Sequence, residues 1–568
     1  MPGTGPRDLL RLAGPLVPIL LTGAILFLAP AFLSDFRQNL LAKFLCFAIL
    51  AIGIDLLWGY AGMLSLGHGV WFGLGGYAMG MYLKMEDADG RLPDFMNWSG
   101  LTSVPWFWKP FEHAWFALPA AVLGPGIIAY VVGYLVFRSR VKGAYFSIIT
   151  QALALILSIF FVGQQQYTGG TNGLTNFSTL FGFSLADRAT QDALYYLTVA
   201  TLLATMLFAT WLTRAPLGRL LIAIRDDEDR VRFSGHNVTL LKAAVFAVSA
   251  ALAGLAGALY VPQVGIISPA NMGIVPSIEF VLLVAVGGRA TITGAVIGAI
   301  LVSWARSILS ENYPDTWLYF FGALFIASVL LFPAGIVGTW RSLVRHRRLP
   351  IRRPPFRTPA AVRLESPEHP MSEAILNIEN LCVSFDGFPV LDDLSLLVAR
   401  GELRFLIGPN GAGKTTLMDV ISGKVRARSG RVLFDPAVPA SGDPHPSTIE
   451  VHGEIRFEGL DLARMREDAI VRAGIARKFQ TPSVFNSLTV AENVAVAAAY
   501  RDRFLRQLFP PSAARRERVT RALEDVALLH RADVPAGALS TANASGSKSP
   551  CSSSSRPGSC SSTSRSPA

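Results

Sequence analysis

Long apolar runs alternate with short charged segments over about the first 340 residues, and the pattern stops beyond them. A run of about 20 apolar residues is long enough, as a helix, to cross about 30 Å of hydrocarbon. Such runs occupy residues 12–33, 39–58, 66–84, 115–137, 144–163, 193–212, 243–261 and 317–339. The pattern predicts an all-α polytopic membrane domain over residues 1–340, with about eight to ten transmembrane helices.

The basic segments between these runs predict the orientation of the domain. Arg138–Lys142 and Arg214–Arg232 are rich in Lys and Arg and flank apolar runs, so the positive-inside rule places them in the cytoplasm. The loops 85–114 and 164–192, which are poor in Lys and Arg, then lie outside. The basic cluster Arg341–Arg353, after the last apolar run, is placed in the cytoplasm by the same rule. Between Arg232 and Arg341 the chain must therefore cross the membrane an even number of times. The glycine-broken region 278–308 is therefore either a pair of spans or a re-entrant hairpin.

Composition supports a membrane protein and excludes some other classes. Hydrophobic residues make up 51% of the chain and charged residues only 16%, whereas soluble proteins carry about 25% charged residues. An ordinary cytosolic enzyme is therefore disfavoured. The net charge of +11 lies in short clusters between apolar runs, which favours a lipid bilayer as partner and no nucleic acid. The cysteines have neither disulfide-framework nor zinc-ligand spacing.

A second unit follows a predicted linker. Residues 341–370 are rich in Arg and Pro and lack apolar periodicity, which is typical of a linker. Residues 371–540 alternate β-rich runs, such as Ile375–Ile378 and Leu403–Ile407, with helix-like runs such as Lys414–Ile421, which indicates an α/β domain. Because Met371 opens a stretch typical of a protein start, we interpret the chain as a fusion of two formerly separate proteins.

One segment of the α/β unit fits the phosphate-binding motif G-x-x-x-x-G-K-[S/T]. It consists of Gly408, Pro409, Asn410, Gly411, Ala412, Gly413, Lys414, Thr415 and Thr416. The predicted strand before it and the predicted helix after it are the context that this motif requires. Glycines let backbone N–H groups close around phosphates, Lys414 reaches the β/γ oxygens, and Thr415 can ligate Mg²⁺. The alternative is a glycine-rich turn that happens to precede Lys-Thr.

Residues 371–540 resemble an ABC-transporter ATPase, and the resemblance implies ATP and Mg²⁺ as cofactors. Phe385 stands where that family places an aromatic residue on adenine, although Phe388 is a rival and a core role is the alternative. Gln480 matches the glutamine of the family's Q-loop, which contacts Mg²⁺ and nucleotide and relays to the membrane domain. Its setting before Ser487–Asn493 is also typical of the family; the alternative is a solvated surface glutamine.

Later motifs of the ABC ATPase family are not found in the sequence. These are the L-S-x-G-[E/Q] signature, the strand ending in Asp-Glu, and the switch histidine. Residues 541–568 include 12 serines, which predicts a disordered tail. With suitably chosen synonymous codons, Thr541–Pro550 gives a signature-like sequence in another reading frame. In the same way, Ser561–Pro567 gives Leu-Asp-Glu-Pro. We therefore hypothesise a frameshift after Ser540. The domain at 371–540 is then truncated, and the chain is expected to hydrolyse ATP poorly or not at all.

Several membrane-domain segments resemble permeases of branched-chain amino acid and urea importers. They are Gly62–Gly69, Lys142–Ser147, Gly169–Leu174 and Gly257–Gln263, while Gly75–Tyr82 and Leu92–Met96 favour the urea branch. Leu217–Arg230 resembles the cytoplasmic coupling helix that docks into the ATPase; a solvated loop helix is the alternative. His68, Glu279 and Asp55 are ionisable residues in apolar surroundings, and each is either a solute contact or a hydrogen-bonded packing residue.

The primary hypothesis is an ABC importer subunit in the bacterial inner membrane, multi-pass, with its ATP-binding domain in the cytoplasm. The resemblance implies as partners a second permease subunit, a second ABC ATPase subunit, an extracytoplasmic solute-binding protein and a small polar solute. The favoured solute is urea, and a branched-chain amino acid is the alternative. A second hypothesis is a membrane subunit that binds ATP without hydrolysing it. A third, a passive channel, is disfavoured by the phosphate-binding motif.

Overall fold

The structure is a computed structural model that describes residues 16–331, 334–346, 374–400, 402–435, 448–451, 454–457, 459–477, 484–499, 502 and 504–539. The first part is helical: α1 Leu16–Leu28, α2 Asp35–Asp55, α3 His68–Ala88, α4 Asp94–Trp98, α5 Ala114–Arg138, α6 Ala144–Gly163, α7 Gln165–Thr168, α8 Arg188–Arg214, α9 Pro216–Asp226, α10 Glu228–Phe233, α11 Val238–Val264, α12 Ile274–Gly287, α13 Ile292–Asn312, α14 Trp317–Leu331 and α15 Gly335–His346. Short strands β1 Leu174–Thr175, β2 Thr179–Leu180, β3 Phe183–Ser184 and β4 Ile266–Ile267 lie between helices.

The helical part has the character of a membrane domain. Among the described residues, six helices are long and apolar enough to cross a bilayer: α2 with the turn after it, α5, α6, α8, α11 and α13. Three shorter apolar helices begin at Leu16, Ile274 and Trp317. The predicted all-α membrane domain is confirmed. Region 278–308 contains the two helices α12 and α13, which are separated at Gly288, a residue with φ of +129°. Only α13 is long enough to be a candidate span, so the choice between a pair of spans and a re-entrant hairpin stays open.

Close backbone contacts hold α3 against α11 in the centre of the bundle. A Cβ atom added to Gly75 of α3 would lie 2.1 Å from the carbonyl oxygen of Gly254, and one added to Gly257 of α11 would lie 1.9 Å from that of Phe72. Real Cβ atoms do not come so close, so these glycines are required by the packing. Small residues allow such approach where helices pack through van der Waals contact rather than a hydrophobic drive.

The two loops predicted to lie outside pack against each other. Glu86 and Asp87, at the end of α3, accept hydrogen bonds from backbone N–H groups of residues 178–182 over 2.6–3.1 Å. Strands β2 and β3 form a hairpin there, and β1 pairs with β4 through Leu174 and Ile267. The contact agrees with the prediction that both loops are on one side of the membrane.

The second part is built on an antiparallel sheet. It contains β5 Ala374–Phe385, β6 Phe388–Ala399, α16 Lys414–Ile421, β7 Ser429–Phe434, β8 Thr448–Val451, β9 Glu454–Phe457, β10 Leu460–Asp461, α17 Glu467–Arg472, α18 Val490–Ala498 and α19 Ala513–Asp525. The strand order is β10-β7-β5-β6, and β8 pairs separately with β9. Leu417 and Val420 of α16 pack into a separate apolar core beside this sheet. The predicted β-run at Ile375–Ile378 and helix at Lys414–Ile421 are confirmed.

The predicted strand at Leu403–Ile407 is wrong for this structure. The segment is not paired with any described strand, and Leu403 is 81%, Phe405 75% and Ile407 94% exposed. A strand that reads as a continuous apolar run needs neighbouring strands on its edges and cover on both faces. No described strand supplies either, so the segment lies exposed at the surface without sheet hydrogen bonds.

Two of the predicted boundaries concern residues only partly described. Helix α15 continues to His346, past the predicted end of the membrane domain at residue 340. The remainder of the predicted linker, 347–370, lies outside the described residues, as does the serine-rich tail 541–568 on which the frameshift hypothesis rests. The domain limits of 1–340, 341–370, 371–540 and 541–568 stay predictions.

Candidate functional site

The phosphate-binding motif forms a glycine-shaped loop before α16. Gly411 and Gly413 have φ values of +89° and +76°, which glycine adopts without strain. A Cβ at Gly413 would lie 2.8 Å from Leu391 Cδ2 and 3.0 Å from the carbonyl oxygen of Val390, so the loop is pressed against β6. These contacts fix where the loop enters the helix.

Lys414 is the first residue of α16 and closes the loop on itself. Its Nζ donates hydrogen bonds of 2.6 Å to the carbonyl oxygens of both Gly408 and Pro409. The loop therefore holds an ammonium group beside the N-terminus of a helix, where partial positive charge from the backbone adds to it. This set of donors fits a nucleotide phosphate.

A magnesium ion fits the same end of the loop. Thr415 lies one residue into α16 and is exposed, and its hydroxyl is an oxygen donor of the kind that Mg²⁺ accepts. A bound Mg²⁺ would neutralise phosphate charge there. Gln480, the second predicted ligand, lies outside the described residues. The role of both residues stays a prediction.

Phe385 and Phe388 flank the turn that joins β5 to β6. They form a cross-strand pair around Asp386 and Gly387, whose φ values of +48° and +92° are those of a tight hairpin turn. Phe385 is 46% and Phe388 78% exposed, so neither is a core aromatic. Because β6 also contacts the phosphate-binding motif at Gly413, the hairpin belongs to the same sheet edge as that motif. The choice between the two rings stays open.

The predicted coupling segment makes direct contact with the ATPase domain. Asp226, at the end of α9, accepts hydrogen bonds from the backbone N–H and from Oγ of Ser487, both at 2.8 Å. Arg225 donates from Nη2 to the same Oγ at 3.1 Å. The chain turns here because the Asp227 side chain caps α10 by accepting from the backbone N–H of Arg230. The prediction of a docking helix, rather than a solvated loop helix, is confirmed by these contacts.

His236 is buried at this interface just before α11. Its Nε2 lies 2.9 Å from the carbonyl oxygen of Val496 in α18, and since a carbonyl can only accept, Nε2 carries the proton. Burial, with the charges of Arg472 and Arg515 beside it, lowers the pKa of His236 in spite of the Val496 carbonyl and Asp468, which raise it. The histidine is therefore held neutral in the docked state.

Three arginines extend the contact between the two parts. Arg466 donates to Asn237 Oδ1 at 2.7 Å, and Arg472 donates to the carbonyl oxygen of Gly235 at 3.1 Å. Arg140, in the basic segment Arg138–Lys142, pairs with Glu467 of α17 at 2.6 Å. Both segments that the positive-inside rule places in the cytoplasm thus bind the ATPase domain.

A chain of contacts joins the nucleotide loop to the coupling segment. Asp419 of α16 forms an ion pair with Arg477, whose guanidinium lies 5.9 Å from the ring centroid of Phe233 in α10. Helix α16 begins at Lys414, so one helix and one arginine connect the loop with α10. Such a chain shows physical contiguity, and coupling along it is a matter for experiment.

A buried charge network anchors α10 to the bundle. Glu228 accepts from Arg232 at 2.6 Å and from Lys242 of α11 at 3.1 Å. Burial alone would raise the pKa of Glu228, but attraction by Lys242 and the bonds from Arg232 outweigh it and hold the pKa below its usual value. Lys242 also lies 4.5 Å from the ring centroid of Phe137 in α5. Helix α10 is therefore connected with α5 and α11 through Lys242.

The ionisable residues inside the bundle each have a protein partner. His68 Nε2 lies 2.7 Å from Ser249 Oγ, and Asp55 accepts from the backbone N–H of Ala290 at 2.6 Å. Glu279 pairs with Arg306 at 2.5 Å. Each of the three also has a buried polar atom without a hydrogen-bond partner among the described residues: Nδ1 of His68, Oδ2 of Asp55 and Oε1 of Glu279. The choice between a packing role and solute contact therefore stays open.

Sequence reasoning missed Ser487, His236, Arg140 and Arg477 as interface residues. Each is an ordinary polar residue whose partner lies far away along the chain, so spacing carries no signal for it. The charge-rich character of the coupling segment was the only local sign of the interface.

Comparison with protein families gives two matches. A model described as the permease component of branched-chain amino acid transport systems matches residues 36–329, and a model of ABC transporters matches residues 391–548.

Individual relatives agree with this division. The high-affinity branched-chain amino acid transport system permease protein LivM of Salmonella typhimurium is 24% identical over 331 residues, covering 54% of this chain and 71% of LivM. The probable branched-chain amino acid transport ATP-binding protein LivG of Methanocaldococcus jannaschii is 31% identical over 172 residues, covering 29% of this chain and 58% of LivG. A crystal structure of a nucleotide-free ATP-binding cassette from an ABC transporter is 31% identical with a TM-score of 0.22, covering 29% of this chain and 58% of that one. The chain spans less than two thirds of these ATP-binding relatives.

Proposed function

Since this chain belongs to the family of permease components of branched-chain amino acid transport systems, and carries an ABC transporter domain in the same polypeptide, we propose that it is a subunit of an ATP-driven importer. ATP binding at Gly408–Thr416 moves the ATPase domain, and the coupling segment carries that movement into the helices. The observation that carries the proposal is the hydrogen-bonded contact of Asp226 with Ser487.

Family membership and the six candidate spans confirm the localisation. The chain is a multi-pass inner-membrane protein whose ATP-binding domain is cytoplasmic. Its assembly with a second permease, a second ATPase and an extracytoplasmic solute-binding protein is part of the proposal, as is Mg²⁺ with the nucleotide. The match of the two units to separate permease and ATP-binding proteins supports the interpretation of a fusion.

The solute is proposed to be small and without net charge. The names of the permease and ATP-binding relatives favour a branched-chain amino acid. The segments Gly75–Tyr82 and Leu92–Met96 are the sequence features that favour urea. We therefore take a branched-chain amino acid as the first candidate and urea as the second.

Uptake into proteoliposomes tests the function and the choice of solute together. The full chain is purified with the subunits that accompany it and reconstituted with ATP and Mg²⁺ on the side of the ATPase domain. Labelled leucine and labelled urea are supplied on the other side, with the solute-binding protein. We expect ATP-dependent accumulation of one of them, lost in Lys414→Ala. Equal uptake with and without ATP would overturn the importer and favour a passive channel.

A second candidate is a subunit that binds ATP without turning it over. The exposed, unpaired segment Leu403–Ile407 favours it, because the phosphate loop then lacks the rigid strand that precedes it in a complete domain. The measurement is ATP hydrolysis by an assembly in which this chain supplies the only ATPase domain. Clear turnover that disappears in Lys414→Ala excludes the second candidate, while nucleotide binding without turnover supports it.

A further inference from the structure

A cavity of about 470 Å³ opens between the two outer loops. It lies where α3 ends, beside the short helix α4 and the glycine-rich segment after α7. Its volume is in the range of ligand sites, which is about 300–1,000 Å³. The polar and aromatic side chains that line it include Lys84, Asp94, Trp98, Gln166, Asn172 and Asn176.

An ion pair between a buried lysine and a partly exposed aspartate forms one wall of the cavity. Lys84 Nζ lies 3.0 Å from Asp94 Oδ1, and it donates to the carbonyl oxygen of Asn176 at 3.3 Å. The Lys84 side chain is only 7% exposed, whereas that of Asp94 is 38% exposed. An ammonium group this deeply buried is costly unless it is paired. Both charges are therefore held at fixed positions facing the cavity.

Glycines make the opposite wall rigid. Gly169 and Gly173 have φ values of +78° and +69°. A Cβ at Gly169 would lie 2.1 Å from the carbonyl oxygen of Gly173, and one at Gly173 would lie 2.0 Å from that of Ile267. The pairing of Leu174 with Ile267 ties this loop to the end of α11. The segment Gly169–Leu174 is thus built to hold the wall in one shape, and a preformed site costs less ordering on binding.

We propose that this cavity binds a zwitterionic α-amino acid on the extracytoplasmic side. The solute carboxylate is taken by Lys84 and its ammonium group by Asp94, while Gln166 and Asn172 supply hydrogen bonds and Trp98 covers the side chain. The inference rests on the proposed importer function and narrows its solute to amino acids.

The internal ion pair selects a zwitterion over other solutes. A ligand that separates Lys84 from Asp94 must replace the partner of each. A zwitterion does so for both at once. A purely cationic ligand would pair with Asp94 and leave the buried ammonium group of Lys84 unpaired, which is strongly unfavourable. A purely anionic ligand would pair with Lys84 but supply no partner for the Asp94 carboxylate. Urea carries no charge and gains nothing from the pair. The pair therefore acts as a filter for solutes that bear both charges.

Equilibrium binding of labelled leucine to the purified full chain, without nucleotide, tests this site. Isovalerate lacks the ammonium group, isoamylamine lacks the carboxylate, and urea lacks both charges. Each charge-assisted hydrogen bond contributes about 1.5–3 kcal/mol, so these competitors are expected to bind at least about tenfold more weakly than leucine. Competition by urea or by either single-charge analogue as effective as that by leucine itself would overturn the proposal.

Variants locate the binding. Lys84→Met and Trp98→Ala are each expected to weaken leucine binding about tenfold or more. Trp98 is 81% exposed, so Trp98→Ala leaves the core of the protein intact. This variant therefore tests the site even if Lys84→Met does not fold. The control is Arg188→Met, which breaks the exposed pair of Arg188 with Asp35 at the ends of α8 and α2, away from the cavity lining. Unchanged binding in Trp98→Ala and in folded Lys84→Met, or no leucine binding by the unmodified chain, would overturn the site.

Uptake measured on the same preparations separates this inference from the importer itself. ATP-driven uptake that persists unchanged in both cavity variants rejects the site and keeps the function. Cavity-dependent leucine binding without any ATP-driven uptake rejects the function and keeps the site.

Discussion

Replacing Asp226 by alanine removes the hydrogen bonds that join the coupling segment to Ser487 while leaving α9 intact. A negative charge at the C-terminal end of a helix is unfavourable for the helix dipole, and alanine is the best helix former. The substitution is therefore not expected to destabilise α9 itself. The substitution instead weakens the contact between the membrane helices and the ATPase domain.

The size of the effect follows from the two bonds that are lost. A hydrogen bond to a charged group contributes about 1.5–3 kcal/mol when buried, but Ser487 is exposed, and solvent screening reduces such contacts. We therefore expect a total loss of about 1–2 kcal/mol, which corresponds to an increase of about 5- to 30-fold in local opening. Hydrogen exchange measures this local opening directly, because the backbone N–H of Ser487 is one of the two donors to Asp226. Peptides from residues 484–499 report the protection of that N–H.

A matched variant on the next helix serves as the control. Asp229 belongs to α10 and pairs with Lys142 of the membrane part at 2.7 Å, and both side chains are about half exposed. Asp229→Ala removes the same charge and is expected to leave exchange over 484–499 unchanged. If Asp226→Ala and Asp229→Ala raise that exchange equally, the docking contact contributes nothing and the reasoning fails.

Three further predictions follow from the bundle, the interface and the loop. Gly75→Ala forces a methyl group against the carbonyl of Gly254 and should destabilise the bundle by about 1–3 kcal/mol. Gly124→Ala, whose added methyl group meets no atom within 4 Å, should not. Thermal unfolding in detergent compares the two variants, and equal melting temperatures would contradict the proposed packing of Gly75. The docked state lowers the pKa of His236 from 6.5, so docking is fully stable above about pH 6.5 and weakens as the pH falls below that value. Hydrogen exchange over 484–499 should therefore rise on acidification. The same rise in His236→Asn would show that this histidine is not the source of the pH dependence. Lys414→Ala should weaken ATP binding by the full chain about 10- to 100-fold in a calorimetric titration, and undiminished affinity would exclude the loop as the nucleotide site.

The hydrophobic pattern predicted the membrane helices well because length and apolarity are local properties. Helix α6 has the predicted bounds 144–163, and the break at Gly287-Gly288 correctly separates two helices. Long apolar runs have few alternative structures in a bilayer, since every backbone polar group must be satisfied within the helix.

The pattern failed where structure depends on residues that are distant in sequence. Leu403–Ile407 has the composition of a strand, yet its state depends on neighbouring strands that the described residues do not contain. Ser487 and His236 owe their roles to partners in the other unit, and no sequence spacing marks them. The segment Gly169–Leu174 resembles a family feature in the sequence, but only the folded chain brings it to the cavity that Lys84 and α4 also line.

The central claim is that nucleotide bound at residues 408–416 acts on the helical bundle through α9 and α10. Hydrogen exchange of the full chain with and without ATP and Mg²⁺ tests it most directly. We predict that ATP changes exchange in residues 216–233 as well as in 408–421, and that both changes disappear in Lys414→Ala. A change confined to 408–421, with identical exchange in 216–233, would contradict the claim.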